Sequence, residues 1–260
     1  MDPRAEYIAG FFDGDGTITL KPPGKGRGTH PAPYAALSQA HNAGEPPELV
    51  HVQALYGGTM LKSRDATSAR RSTWMLTFSV EGTERLLEDV IARHGIAKRL
   101  EAESAIAYLR SGRVDAQTTH DFLVAAKKDR QDIHIDPARI TPAYLAGLFT
   151  ADGTVTLNRG LPFVNIAAKR CIKLLRAIRD KLGYGTVYAD AGWIGFHSAV
   201  AVQFLEHIRP HLPNCQKLPQ VRLTLEYANS MTFGSTKRKT PEQIARKEET
   251  LKELKRMKRM

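Results

Sequence analysis

Asp15 and Asp152 stand at matching places in a repeated pattern, and each is followed by glycine. The first copy reads Tyr7-Ile8-Ala9-Gly10-Phe11-Phe12-Asp13-Gly14-Asp15-Gly16. The second reads Tyr144-Leu145-Ala146-Gly147-Leu148-Phe149-Thr150-Ala151-Asp152-Gly153. They run on into Thr17-Ile18-Thr19-Leu20 and Thr154-Val155-Thr156-Leu157. From Tyr7 to Tyr144 the offset is 137 residues, too long for a solenoid repeat and suited to two copies of a domain-sized unit. A carboxylate from each copy, brought together, would suit a hard divalent cation, which takes oxygen ligands and activates water.

For that chemistry the chain has to deliver both carboxylates to one place. Each stretch lacks proline and is apolar on most faces, the pattern of a short buried helix. Ala9-Gly10 and Ala146-Gly147 are too small to hold a partner helix at the usual ~8–10 Å, so the copies are expected to pack with backbones almost touching. Asp15 and Asp152 then fall at the helix C-terminal ends, beside a Gly that can turn the chain into a strand. The C-terminus of a helix is itself partly negative. Two like charges about 4 Å apart repel by about 4 kcal/mol at an effective dielectric near 20. A cation is therefore expected there, with the carbonyls of Gly14 and Ala151 as further ligands. Asp13 is matched by Thr150, so two-fold chemistry cannot need a carboxylate at that place, and Asp13 is read as structural or modulatory. An Asp-Gly pair can be a turn signal alone, but two matched copies in a basic protein argue against that.

Both decamers resemble the LAGLIDADG motif of the homing endonucleases in its two-motif, monomeric form, and the resemblance covers roughly residues 5–230. It implies an α+β fold: two pseudo-symmetric αββαββα units, packed through the motif helices, whose antiparallel sheets form a saddle over DNA. It also implies site-specific cleavage of both strands of a long, nearly asymmetric double-stranded target with Mg²⁺, leaving short 3′ overhangs. Mn²⁺ is expected to substitute, and Ca²⁺ to bind without supporting cleavage. Asp15 and Asp152 are then the metal ligands. A Gln near the end of the second strand and a Lys opening the last helix order water and offset charge, roles matched by Gln39, Lys98 and Lys217. The second unit holds Ala168 at the Gln position, with Lys169 beside it, which puts equal cutting of the two strands in doubt. On the same fold the alternative is an intron RNA maturase or a non-cleaving DNA-binding protein. Phe12-Asp13-Gly14-Asp15-Gly16-Thr17 also resembles the D-x-D-G-T signature of haloacid-dehalogenase-type phosphatases, which requires a preceding parallel strand. Thr150 removes the nucleophile from the second copy.

The formal net charge of +11 and pI near 9.7 favour a polyanionic partner. Residues 236–260 hold ten Lys/Arg against four Glu, so the body, with 28 against 23, is only moderately basic. Cys171 and Cys215 sit in no zinc spacing and are read as thiols of an intracellular protein, in an organelle or a prokaryotic cytoplasm. No apolar run approaches a membrane span.

The expected order is a unit at 1–110, a linker at 111–142, a second unit at 143–235 and a basic tail at 236–260. In the first unit, strands are expected at 17–21, 33–39, 60–63 and 72–80, with helices at 47–56, 82–94 and 98–109. The linker should hold a helix at 120–128 capped by Thr118 or Thr119. In the second unit, strands fall at 154–158, 162–167, 186–189 and 193–197, with helices at 171–182, 199–208 and 217–228. The tail reads as a charged, solvated helix. Base readout falls to the outward strand faces, since a two-stranded ribbon fits the major groove. The candidates are Thr19, Lys21, Lys25, Arg27, Tyr34, Lys62, Arg64, Arg71 and Thr73, then Thr156, Asn158, Arg159, Asn165, Lys169, Tyr188, Asp190, Trp193 and His197. Their Lys and Arg members would mostly hold phosphate.

Overall fold

The computed structural model describes residues 2–22, 30–67, 71–128, 130, 133–213, 215–230 and 240–259. The first half runs α1 (Pro3–Asp15), β1 (Gly16–Lys21), β2 (Ala32–Ala40), α2 (Pro47–Tyr56), β3 (Thr59–Arg64) and β4 (Thr73–Thr77). It continues with α3 (Val80–Leu86), a π turn (Leu87–Ile91), α4 (Ala92–His94), α5 (Arg99–Arg110) and α6 (Ala116–Lys128). After a 3₁₀ turn at Pro137–Arg139 the second half runs α7 (Pro142–Asp152), β5 (Gly153–Asn158), β6 (Leu161–Ala167), α8 (Ile172–Leu182), β7 (Thr186–Tyr188) and β8 (Trp193–His197). It ends with α9 (Ala199–Ile208), a 3₁₀ turn (Arg209–His211), α10 (Leu218–Asn229) and α11 (Pro241–Arg259). The sheets repeat each other: β1-β2-β4-β3 and β5-β6-β8-β7, all pairs antiparallel. This is the expected α+β duplication. Among the described residues no parallel strand precedes Asp13, which removes the phosphatase reading.

The two motif helices, α1 and α7, form the most extensive packing between elements in the molecule. A Cβ on Gly10 would lie 2.0 Å from the Tyr144 carbonyl oxygen, and one on Gly147 would lie 1.9 Å from that of Tyr7. Only glycine leaves room for this approach, and such contacts allow Cα–H to face carbonyl oxygen. Around the crossing, Ile8, Phe11, Phe12, Tyr144, Leu145 and Phe149 are fully buried. Gly16 and Gly153, expected as turn formers, have ordinary extended backbone (φ −78° and −80°). Their need for glycine is space: a Cβ would strike the ring of Phe12 at 2.5 Å or of Phe149 at 2.2 Å.

Both sheets turn one face to the helices and leave the other open. β1 and β5 share one burial alternation, with Gly16, Ile18 and Leu20 or Gly153, Val155 and Leu157 inward. The hairpin between β5 and β6 turns on Arg159 (φ 51°) and Gly160 (φ 77°), the left-handed pair that a two-residue hairpin takes.

Some expectations change. β4 ends at Thr77 because the Ser79 hydroxyl accepts from Gly82 N–H (3.0 Å) and opens α3 at Val80. The linker helix starts at Ala116, so Thr118 and Thr119 lie inside it and cap nothing; the chain turns into it through Arg113 and Asp115, both at positive φ. This helix, α6, packs on α5 and β1. The tail is no solvated appendage: α11 packs on α10 and β5, burying Thr250 and Leu254. Linker helix and tail helix are thus corresponding parts of the two halves. Both cysteines are free and buried. No helix among the described residues is long and apolar enough to cross a membrane.

Gly10→Ala or Gly147→Ala is expected to cost about 3 kcal/mol or more, at the upper end of overpacking penalties. Chemical denaturation measures it, and unchanged stability would contradict the close crossing.

Candidate active site

The C-termini of α1 and α7 end at Asp15 and Asp152, and both carboxylates line one cleft of about 510 Å³ between the halves. The approach is close enough that a Cβ on Gly14 would lie 3.0 Å from Asp152 Oδ2. Burial pushes the Asp15 carboxyl up to about 7, with the neighbouring Asp152 adding to the rise and Lys217 and Lys98 opposing it. Burial also raises Asp152, against the pull of Lys98 and Lys217.

Each lysine comes from just before α5 or α10, yet its ammonium serves the other end of a motif helix. Lys98 Nζ donates to the carbonyls of Phe12 (2.8 Å), Asp13 (2.6 Å) and Gly14 (3.1 Å). Lys217 Nζ donates to Phe149 (2.9 Å), Ala151 (3.0 Å) and Gly153 (2.7 Å). Helix C-termini leave carbonyls unsatisfied and carry partial negative charge, so the two cations cap the two motif helices. Burial lowers both lysines to about 8, with Asp13 the main opposing charge at Lys98 and Asp15 at Lys217. The Gly14 and Ala151 carbonyls, expected to face a metal, already accept from these lysines; a carbonyl oxygen keeps a second lone pair.

Asp13 is buried and structural. Its carboxylate accepts from the N–H groups of Ile96 (2.7 Å), Ala97 (2.9 Å) and Lys98 (2.8 Å) and from the Tyr144 hydroxyl (2.8 Å). Gln39, also buried, donates to Asp15 Oδ2 (2.6 Å) and accepts from Gln216 Nε2 (2.9 Å). In β6 the register pairs Gly153 with Ile166 where β1 pairs Gly16 with Leu37, which puts Ala168 at the place of Gln39.

Among the described residues, no group of three or more His, Cys, Asp or Glu could hold a metal ion. The oxygen donors at the seam are therefore two carboxylates and helix-end carbonyls. That set fits a cation such as Mg²⁺, which is bound through one or two carboxylates and completes its shell with water and substrate phosphate.

The readout candidates divide by strand register. Thr19 and Tyr34 are opposite each other on the open face of the first sheet, and Lys21 Nζ sits 3.3 Å over the Tyr34 ring. Thr73 and Arg64 are paired on that face, after a register shift in β3. Lys62 pairs with Trp74, which pairs with Gln39, so it lies on the helix-side face and bridges to Asp65 (2.6 Å). That is a correction: Lys62 keeps the alternation set by Met60 opposite Leu76, and the irregularity that follows it is what turns Arg64 to the open face. Lys25 and Arg27 lie outside the described residues. In the second sheet, Thr156, Asn165, Trp193, His197 and Tyr188 share the open face, with Asn158 at its end, Arg159 in the hairpin, Asp190 in the β7–β8 turn and Lys169 just past β6. Tyr188 stacks on Trp193 (4.0 Å), and Phe163 meets Trp193 and His197 edge-on and tilted. Arg71 belongs elsewhere: with Lys217 and Lys258 it lines a second cleft against Asp152.

No protein-family model matches the sequence, and no curated protein matches it. Solved structures match over nearly the whole chain. I-SmaMI, bound to an uncleaved DNA target in the presence of calcium ions, gives a TM-score of 0.65 at 14% identity over 99% of this chain and 98% of that one. LAGLIDADG meganuclease I-AabMI bound to uncleaved DNA gives 0.67 at 11% identity, over 97% and 98%. The I-SmaMI LAGLIDADG homing endonuclease bound to cleaved DNA gives 0.58 at 13% identity, over 99% and 96%. The chain has the LAGLIDADG fold.

Within that fold several site residues escaped the sequence. Arg130 follows α6, pairs with buried Glu101 (2.7 Å) and lines the cleft of Asp15 and Asp152 with Lys98 and Lys127. Lys258 of α11 lines the opposite cleft. Gln216 and Glu48 join Gln39 below. Nothing local marks Arg130 or Lys258 among many surface cations; only the docking of α6 and α11 selects them.

A folded-state pKa raised above the unfolded value adds stability at low pH that is lost as pH rises through the folded value. For Asp15 that window runs from the usual carboxylate range to about 7, and a shift of this size corresponds to a few kcal/mol. Without divalent cation, stability is expected to fall across that window, and Asp15→Asn to flatten the fall. Urea denaturation across pH checks it; identical pH profiles for the two proteins would contradict it.

Proposed function

We propose that this chain is a site-specific double-strand DNA endonuclease whose reaction centre is the seam between α1 and α7. The observation that carries the proposal is the pair of half-buried carboxylates at adjoining helix ends, each helix end capped by a lysine, between two open antiparallel sheets. Proteins of the same fold have been solved with uncleaved and with cleaved DNA, which supports double-stranded DNA as the substrate. The target is proposed to be long and asymmetric, because the two open faces differ. The first carries Thr19, Lys21, Tyr34, Arg64 and Thr73; the second presents the aromatic group of Tyr188, Trp193 and His197 beside Thr156 and Asn165.

Asp15 and Asp152 would hold Mg²⁺, or Mn²⁺ in its place, with the Gly14 and Ala151 carbonyls as candidates for further ligation. Calcium is proposed to bind without supporting cleavage. When bound, such a cation makes water a better nucleophile and neutralises charge at phosphorus. The chain's own groups do the rest. Lys98 and Lys217 keep the helix ends from repelling anions and place positive charge beside the scissile phosphates. Gln39 fixes the orientation of the Asp15 carboxylate and presents an amide to water. Arg130, Lys127, Arg71 and Lys258 line the flanking clefts as phosphate contacts. The overhangs are proposed to be short and 3′, and the working unit a monomer, since one chain supplies both halves of the site.

The test is selection of cut sequences from a randomised duplex library with Mg²⁺, followed by rate and binding measurements on the selected target. Asp15→Asn and Asp152→Asn are each expected to lower cutting about 10³-fold or more, the scale set by loss of preorganised charge stabilisation, with affinity in Ca²⁺ nearly unchanged. No cut sequence, or double-strand cleavage retained by either variant, would overturn the reading.

A further inference from the structure

The two halves hold their lysines by different means. In the first, the backbone leading into α5 is clamped by Asp13, whose carboxylate takes the Ile96, Ala97 and Lys98 N–H groups. In the second, the matching residue of α7 is Thr150, which carries no charge: its hydroxyl donates to the Ala146 carbonyl of its own helix (2.9 Å), with Cys215 Sγ at the longer distance of 4.0 Å. With Lys98 matched to Lys217, Ala97 matches Gln216. The Gln216 N–H does find a carboxylate: it donates to Glu48 Oε1 at 2.8 Å, across 168 residues of sequence and from the other half. Glu48 is fully buried at the first turn of α2.

The Gln216 side chain carries the connection onward. Its Nε2 donates to Gln39 Oε1 (2.9 Å), and Gln39 Nε2 donates to Asp15 Oδ2 (2.6 Å). The first half has no such relay, because Ala97 and Ala168 stand where Gln216 and Gln39 would be. The equivalent tyrosines differ too. Tyr144 donates to Asp13 (2.8 Å), whereas the buried Tyr7 hydroxyl and Glu48 Oε2 make no well-aligned hydrogen bond among the described residues. Thr150, Cys215 and Glu48 are the polar neighbours of Tyr7.

We infer that Glu48 is a positioning residue, lent by the first half to the second, which replaces the missing carboxylate of α7, holds the Lys217 backbone through Gln216, and through Gln216 and Gln39 orients Asp15. The consequence for cleavage rests on the endonuclease reading; the consequence for the backbone does not. One reaction centre is built with the relay and the other without it, so the two strands depend on it unequally.

Amide hydrogen exchange of the DNA-free protein tests the backbone part. Glu48→Ala is expected to speed exchange at Gln216 roughly tenfold or more, the loss of a hydrogen bond to a charged group. Adding Thr150→Asp, which puts a carboxylate where Asp13 has one, should restore protection. Gln216→Ala should leave protection at position 216 in place. On a duplex selected by the wild-type protein, Glu48→Ala and Gln216→Ala should slow one strand roughly tenfold more than the other, accumulating nicked product, with binding in Ca²⁺ unchanged. Wild-type exchange at Gln216 in Glu48→Ala, or no recovery with Thr150→Asp, overturns the substitution of one carboxylate for another. Equal slowing of both strands by Gln216→Ala overturns the relay. A wild-type protein that cuts no duplex refutes the endonuclease reading instead, and the exchange result then decides the inference alone.

Discussion

The structure depends on one contact: the bare backbone of Gly10 against the Tyr144 carbonyl, mirrored by Gly147 against Tyr7. Helices that cross this closely end close together, and the residues at their ends are carboxylates. At the ordinary interhelical separation of about 8–10 Å the two helix ends, and with them Asp15 and Asp152, would stand further apart. The duplicated sheets follow from the same contact, because β1 and β5 leave directly from the helix ends and so open on either side of the seam.

Such an arrangement gathers negative charge: two carboxylates and two helix C-termini. The fold answers with Lys98 and Lys217, each donating to three main-chain carbonyls. The Asp15 carboxyl is nonetheless pushed up to about 7, first by burial and then by the neighbouring Asp152, against the pull of Lys217 and Lys98. Shifted titratable groups of this kind cluster at functional sites, and their cost in stability is the kind a protein tolerates there.

Much of this was legible in the residues. The repeated decamer carried the two helices, their small faces and their terminal carboxylates, and the alternation in 17–21 and 154–158 carried the central strands. Gln39, Lys98 and Lys217 also converge on the seam as expected. What could not be read has physical causes. The main-chain carbonyls that Lys98 and Lys217 cap lie at the ends of helices far away in sequence. Lys62 and Arg64 lie on opposite faces because the register of β3 shifts between them, which no local pattern announces. The 241–259 helix looked solvated because its few apolar residues, Leu254 among them, are outnumbered by charge. Glu48 looked like an ordinary acidic residue in a first helical turn, and its partner lies 168 residues away.

The halves are alike in topology and unlike in detail. Asp13 is answered by Thr150, Gln39 by Ala168, Ala97 by Gln216, and a glycine-rich stretch at 22–28 by a two-residue hairpin. The surroundings of the seam have diverged between the halves while the paired carboxylates and lysines have not.

The central claim is that Asp15 and Asp152 share one site and feel each other's charge. NMR titration of the Asp15 carboxyl carbon, in the wild-type protein and in Asp152→Asn without divalent cation, tests it most directly. A midpoint near 7 that falls when residue 152 is neutral is the expected result. A midpoint in the ordinary carboxylate range, or one indifferent to residue 152, would contradict it.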